Sequence, residues 1–330
     1  MLPWPPMTGD GLLAVWGEGA VAVLGYGAQG RAHALNLRDS GAAVRVGLHA
    51  GARRAELARD DGFVPGDVRE AVQSASMVAL MVPDEVIPAV LAQVSDLLEP
   101  GVAVVLAHGY AYRYASGAWR GDLDALLVAP MGQGRAVRDA YVAGGGIPAF
   151  LAVHHDATGR ARPRAEAYAR ALGAHRAGLH WGTVAQETEV DLFAEQAVLV
   201  GGVETLVREA FSVLVEAGYP EDVAYFSCLH ELKLVVDLLH EGGLGGMARQ
   251  ISNTAEFGAL RAREQYARAP VREAMERLLA EIRDGTFASA WSAEAAAGMP
   301  LLSAAREATA SAPLERVGEA LRVRLARNRV

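Results

Sequence analysis

An apolar run, Ala20-Val21-Ala22-Val23-Leu24, passes directly into Gly25-Tyr26-Gly27-Ala28-Gln29-Gly30, and that turn opens a stretch of helical spacing, QGRAHALNLRDSG. This junction restricts the fold more than any other segment. A buried strand must end, reverse sharply and feed a helix that packs back on it. The first glycine permits the tight turn, the second lets backbone approach a pyrophosphate, and the third lets helix and strand pack closely. Phosphate oxygens then meet the free amides at the helix N-terminus. Tyr26, Ala28 and Gln29 complete this expected nucleotide turn.

Further apolar runs follow at 42–47, 76–82, 102–107, 125–130 and 147–153, separated by amphipathic stretches such as DEVIPAVLAQVSDLLEPG. Continuous apolar strands alternating with helices predict an α/β, doubly wound, parallel sheet covered on both faces, the Rossmann arrangement. Near residue 183 the text becomes helical, punctuated by the glycine pairs 201–202, 242–243 and 245–246. The expected domains are 1–182, nucleotide-binding, and 183–330, all-helical. Segments such as VDLFAEQAVLV and HELKLVVDLLH are apolar around much of their circumference, as in buried or interface helices.

Composition excludes several classes. With 31 basic and 39 acidic side chains the chain carries −8, which argues against nucleic acid as partner. The single cysteine, Cys228, excludes an internal disulfide framework and a multi-cysteine zinc site. No apolar run approaches a membrane span, and the start, MLPWPPMTGDG, lacks the features of a signal peptide. A soluble cytoplasmic protein is expected. The end, ALRVRLARNRV, reads as a helix with a solvated face. Lys233 is the only lysine, so neutral lysine positions have drifted to arginine.

The second strand ends in Val46-Gly47-Leu48-His49-Ala50-Gly51-Ala52-Arg53-Arg54. An NAD site usually places Asp or Glu there. Its absence, with Arg53 and Arg54 following and His49 near, favours NADPH, with NADH retained; the alternative is a solvated helix start. His108 falls at the end of the fourth strand, where ligands of such sheets bind. In the helical half, Asp191 and Glu195 stand four apart, on one helix face. Adjacent carboxylates repel unless a cation or proton intervenes, and a hard cation such as Mg²⁺ takes oxygen ligands; the alternative is a solvated acidic face. Glu187 and Glu189 are expected to cap that helix start. Glu231 neighbours Lys233, which offers it an ion pair as an alternative role.

Together these segments resemble the ketol-acid reductoisomerases, in the short bacterial form, over nearly the whole chain. GYGAQGRAHALNLRDSG, VPDE, AHGY, VAPMGQG, ETEVDLFAEQAVLVGGV, AYFSCLHELKLVVDLLHEGGLGGM and ISNTAEFG occur in family order. The resemblance implies an NADPH-binding Rossmann domain and a knotted, all-helical, dimerising domain, with the active site between subunits. It implies Mg²⁺-dependent migration of an alkyl group in a 2-aceto-2-hydroxy acid, followed by reduction of the 2-oxo acid. It assigns Asp191 and Glu195 to metal, Glu231 to an acid donated by the partner subunit, Ser252 to substrate and His108 to the active site. Pro83 and Asp84 of the VPDE segment fall at the cofactor site.

The chain departs from the family where charge matters. Met131 occupies the place of a lysine, and Ser227 that of a fourth metal-binding glutamate. His49 and Ala52 stand where an arginine and a serine often bind the 2′-phosphate. Met131 is not explained by drift to arginine, because it removes both charge and proton donor. With three acids the site is expected to hold one Mg²⁺ rather than two. The alkyl shift is the step expected to suffer, since it needs a strongly polarised carbonyl. The leading expectation is a reductase of a small 2-oxo acid or imine with isomerisation impaired or lost. The alternatives are an authentic branched-chain enzyme and a catalytically silent nucleotide-binding subunit.

Overall fold

Strands β1 (Ala20–Leu24), β2 (Val44–Gly47), β3 (Ala75–Leu80), β4 (Ala103–Leu106), β5 (Asp124–Pro130), β6 (Ala149–His155) and β7 (Leu179–Trp181) form one sheet in the order β2-β1-β3-β4-β5-β6-β7. The computed structural model describes residues 15–16, 19–115, 119–268 and 270–327. The expectations for the first 14 residues, and for most side chains of the arginine-rich end, lie outside the described residues.

Alternation along the strands explains why they are apolar throughout. Val21, Val23, Met77, Ala79, Val105 and Leu126 face one layer, with Leu35 and Tyr168. Ala22, Leu24, Val78, Leu80, Val104 and Leu127 face the other, with Leu91 and Val94. A sheet buried on both faces has no polar side to display.

The sheet is not wholly parallel. β1 to β5 run parallel, but β6 pairs antiparallel with β5, in a register that places Pro130 beside Ala149. The chain therefore leaves β5 and enters β6 at the same end of the sheet. The intervening helix, Gly134–Val142, packs on helix Ala28–Asp39 instead of carrying the chain across. β7, which pairs parallel with β6, had no sequence signal: three residues are too few for periodicity to register.

The chain divides into two compact units, Met1–Val190 and Asp191–Val330, the division falling inside helix Val184–Ala194. The described residues of the second unit form helices joined by short turns, and a small core gathers Phe211, Ala224, Tyr225 and Leu321. Its glycine pairs behave differently from one another. Gly201 and Gly202 start a helix, whereas Gly243 (φ +63°) breaks the helix Leu232–Ala248. Two segments, Glu195–Leu199 and Phe226–His230, are wound as π-helix. Among the described residues no helix is long and apolar enough to cross a membrane.

Candidate functional site

The glycine turn has the geometry its sequence requires. Gly25 has φ +99°, and a Cβ there would stand 2.4 Å from the carbonyl oxygen of Met81. A Cβ on Gly30 would stand 2.3 Å from the carbonyl oxygen of Gly25, so helix and strand meet at bare backbone. Gly27 faces open space, which leaves its backbone accessible to a ligand. It also serves as N-cap of helix Ala28–Asp39 with no side chain closing the first amides, the arrangement that favours an anion. Pro83 and Asp84 open a short 3₁₀ turn just beyond β3, the strand next to β1. Gln29 donates from Nε2 to the carbonyl of Gly132 at 2.9 Å, joining the glycine turn to the loop after β5. Met131, in that loop, is 54 % exposed.

Beyond β2 lies a cleft of about 330 Å³. Its lining includes His49, Ala52, Arg59 and Asp67. Arg53 and Arg54 are exposed and do not line it; the arginine that does, Arg59, belongs to the short helix Ala55–Asp60. His49 places Nδ1 2.9 Å from the carbonyl of Ala50. Asp67 caps the helix Val68–Val72, accepting from the amide of Arg69.

At the end of β4, His108 Nδ1 lies 3.2 Å from Glu187 Oε1, and the backbone N–H of Gly109 donates to Glu187 Oε2 at 2.8 Å. The Glu187 side chain is nearly buried. Glu187 and Glu189 thus do not cap their helix. Glu187 holds the His108 loop, and Glu189 pairs with Arg113 at 2.8 Å. The helix start is closed by a reciprocal box: the Thr183 amide donates to Gln186 Oε1, and the Gln186 amide to Thr183 Oγ1. That T-x-x-Q signature was present in the sequence and assigns the cap without either glutamate. With the cap filled, Glu187 is released for the histidine.

Asp191 follows Glu187 by one turn of helix Val184–Ala194, and Glu195 begins the first π segment. Ser227 lies inside the second π segment, and Glu231 directly follows it. π-Helical turns recur at functional sites because they re-aim side chains. Asp191, Glu195, Ser227 and Glu231 are exposed. Lys233 pairs with Asp237 at 2.5 Å, so the alternative pairing with Glu231 is not adopted. Ser252 caps helix Asn253–Arg268, its Oγ accepting from the amide of Ala255 at 3.1 Å. Exposed carboxylates four residues apart supply the oxygen chemistry a hard divalent cation takes. Asp191 and Glu195 are therefore fitting ligands, whereas Glu231 is assigned to metal by the resemblance alone.

Two family models match in succession. The acetohydroxy acid isomeroreductase, NADPH-binding domain, matches residues 16–178, and the ketol-acid reductoisomerase, C-terminal domain, matches residues 184–326. An NADH-preferring ketol-acid reductoisomerase from an uncultured archean is similar in structure, with 40 % identity, a TM-score of 0.90 and coverage of 92 % of this chain and 94 % of that one. A semialdehyde dehydrogenase NAD-binding protein from Cupriavidus necator shares the fold at 21 % identity and TM-score 0.59, over 81 % of this chain and 99 % of its own. An oxidoreductase described as putative, from Jannaschia sp. CCS1, does so at 19 % and 0.58, over 81 % and 98 %.

Proposed function

This chain belongs to the ketol-acid reductoisomerase family, and from that premise we propose that it is a nicotinamide-dependent reductase of a small 2-oxo acid or imine in which the alkyl-shift step is impaired or lost. One contrast carries the reading. The glycine turn and the His108–Glu187 pair are intact, while the family's lysine and fourth acid are replaced by the uncharged Met131 and Ser227.

Each retained group has work in a reduction. The glycine turn and the open helix N-terminus bind the dinucleotide. When bound, the reduced nicotinamide supplies hydride to the carbon of a C=O or C=N bond. His108, oriented by Glu187 through Nδ1, holds a proton on Nε2 for the oxygen of a 2-oxo acid. An iminium carbon already carries its positive charge and needs no proton in that step. A divalent cation held by Asp191, Glu195 and Glu231 would polarise a carbonyl. The alkyl shift asks for more stabilisation of negative charge, and one such group is typically worth roughly 2.7–4 kcal/mol, or 10²–10³ in rate. Met131 supplies no charge, and Ser227 supplies a shorter, neutral oxygen.

The cofactor is either phosphorylated form or its parent. Arg59 in the cleft suits a 2′-phosphate, and Asp67 suits a ribose hydroxyl. The ratio of KM values for NADPH and NADH decides between them. The functional unit is proposed to be a homodimer with a shared active site, because Leu199, Leu206, Leu234 and Phe257 of the helical unit are left exposed.

A second reading, an authentic reductoisomerase of branched-chain amino-acid synthesis, is favoured by the extent of likeness to the archaeal protein. Oxidation of NADPH and NADH should be followed with a panel of 2-oxo acids and small cyclic imines. Turnover with any of them supports a reductase. Cofactor binding with no turnover of any substrate, 2-acetolactate included, identifies a silent subunit.

A further inference from the structure

Tyr26, the residue enclosed between the first two glycines of the turn, is buried, and its hydroxyl donates to Asp61 Oδ2 at 2.9 Å. Arg31, on the helix that the turn opens, donates to the same carboxylate from Nε at 2.6 Å and from Nη2 at 2.8 Å. Arg38, two turns further along, donates to the backbone carbonyl of Asp61, and its guanidinium lies 5.0 Å from the ring centre of Phe63. Phe63 meets Tyr26 edge-on at 6.0 Å. The Tyr26 hydroxyl and two N–H groups of Arg31 therefore converge on one carboxylate, with Arg38 on the backbone carbonyl of the same residue.

Asp61 immediately follows the helix Ala55–Asp60, whose Ala55 and Arg59 line the cleft beyond β2, and its amide closes that helix by bonding to the carbonyl of Leu57. The Asp61 side chain thus fastens the glycine turn to the far end of the cleft's helix, while the Gly25 amide bonds the Gly47 carbonyl at 3.0 Å on the strand side. The Arg31 fork, first, and the Tyr26 hydroxyl hold the Asp61 carboxyl below the usual carboxylate range.

We propose that Asp61 is a positioning residue for the dinucleotide, fixing the pyrophosphate turn and the ribose cleft at the spacing one ligand must bridge. This rests on the nicotinamide-cofactor reading above. When two subsites are held at a fixed distance, the second half of a ligand binds at an effective concentration set by that distance. Slack between the subsites lowers this concentration without altering either subsite. A dinucleotide senses it; adenosine, which carries no phosphate to reach the turn, does not.

The test compares NADPH and NADH with adenosine, using the full chain, by titration calorimetry. Wild type is measured first: if it binds neither dinucleotide, the cofactor reading fails before Asp61 is at issue. Asp61→Asn keeps the shape but loses the charge that grips the Arg31 fork. Dinucleotide affinity is expected to fall about 10- to 100-fold and adenosine affinity by no more than about 2-fold. KM for the cofactor should rise while kcat at saturating cofactor holds. Tyr26→Phe removes one hydrogen bond and should move the same ratio less. If Asp61→Asn does not fold, Tyr26→Phe carries the test. Equal weakening of dinucleotide and adenosine, or unchanged dinucleotide affinity in a folded variant, overturns the proposal.

Discussion

The two units treat their apolar residues in opposite ways. In the sheet unit Leu24, Leu106, Leu126, Leu127 and Leu151 are fully buried. In the helical unit Leu199 is 65 % exposed, Phe257 62 % and Leu244 77 %. The sheet unit satisfies its own hydrophobic demand, since helices cover both faces of the strands. The helical unit does not, and its small core leaves apolar side chains for something else to cover. The same contrast runs through the chemistry. The sheet unit retains its nucleotide turn and the His108–Glu187 pair. The helical unit carries Ser227 between Glu195 and Glu231, two of the carboxylates proposed to hold a cation.

If the altered charges are what separate this chain from its relatives, restoring them should produce the largest effect. Met131→Lys combined with Ser227→Glu is expected to raise turnover of 2-acetolactate by roughly 10²–10³, and to change reduction of the preformed 2-oxo acid far less. Steady-state kinetics on both substrates reads this. An equal change on both would mean that the two positions act generally and not on the alkyl shift.

The exposed leucines sharpen the contrast in burial. Covering one leucine contributes about 1.5–3 kcal/mol, so Leu199→Asp with Leu206→Asp should weaken a dimer by about 10²-fold or more. Sedimentation of wild type and variant over a range of concentrations measures it. A monomeric wild type would remove the proposed second copy.

A smaller effect belongs to the sheet unit alone. His33 is completely buried beside the Tyr168 hydroxyl at 3.0 Å, and burial lowers its pKa to about 3. Unfolded, it titrates near 6.5. Its folded pKa is depressed, so the stability it allows is fully present above about pH 6.5 and is lost as pH falls toward 3, by up to about 1.4 kcal/mol per pH unit. Thermal melting of His33→Gln should show a shallower loss than wild type between about pH 6 and 4. Identical slopes would show that His33 takes up its proton without unfolding.

Much of the sheet unit was legible because its signals are local. Six of the seven strands announce themselves as apolar runs, and the roles of Gly25, Gly27 and Gly30 follow from spacing. What was not legible depends on pairing between distant segments. Nothing within Asp124–His155 reveals that β6 runs against β5. Nor does anything near Arg53 and Arg54 show that Arg59 is the arginine lining the cleft. Glu187 is free of the capping role its position suggests, because Thr183 and Gln186 already fill it. Asp61 carries no motif, and only folding brings Tyr26 and Arg31 to it.

The most direct measurement follows reduced-cofactor oxidation with Mg²⁺ on two substrates side by side: 2-acetolactate, which must be isomerised before reduction, and 3-hydroxy-3-methyl-2-oxobutyrate, which is already isomerised. The account predicts turnover of the second with little or none of the first. Comparable turnover of both would contradict it and establish a complete reductoisomerase.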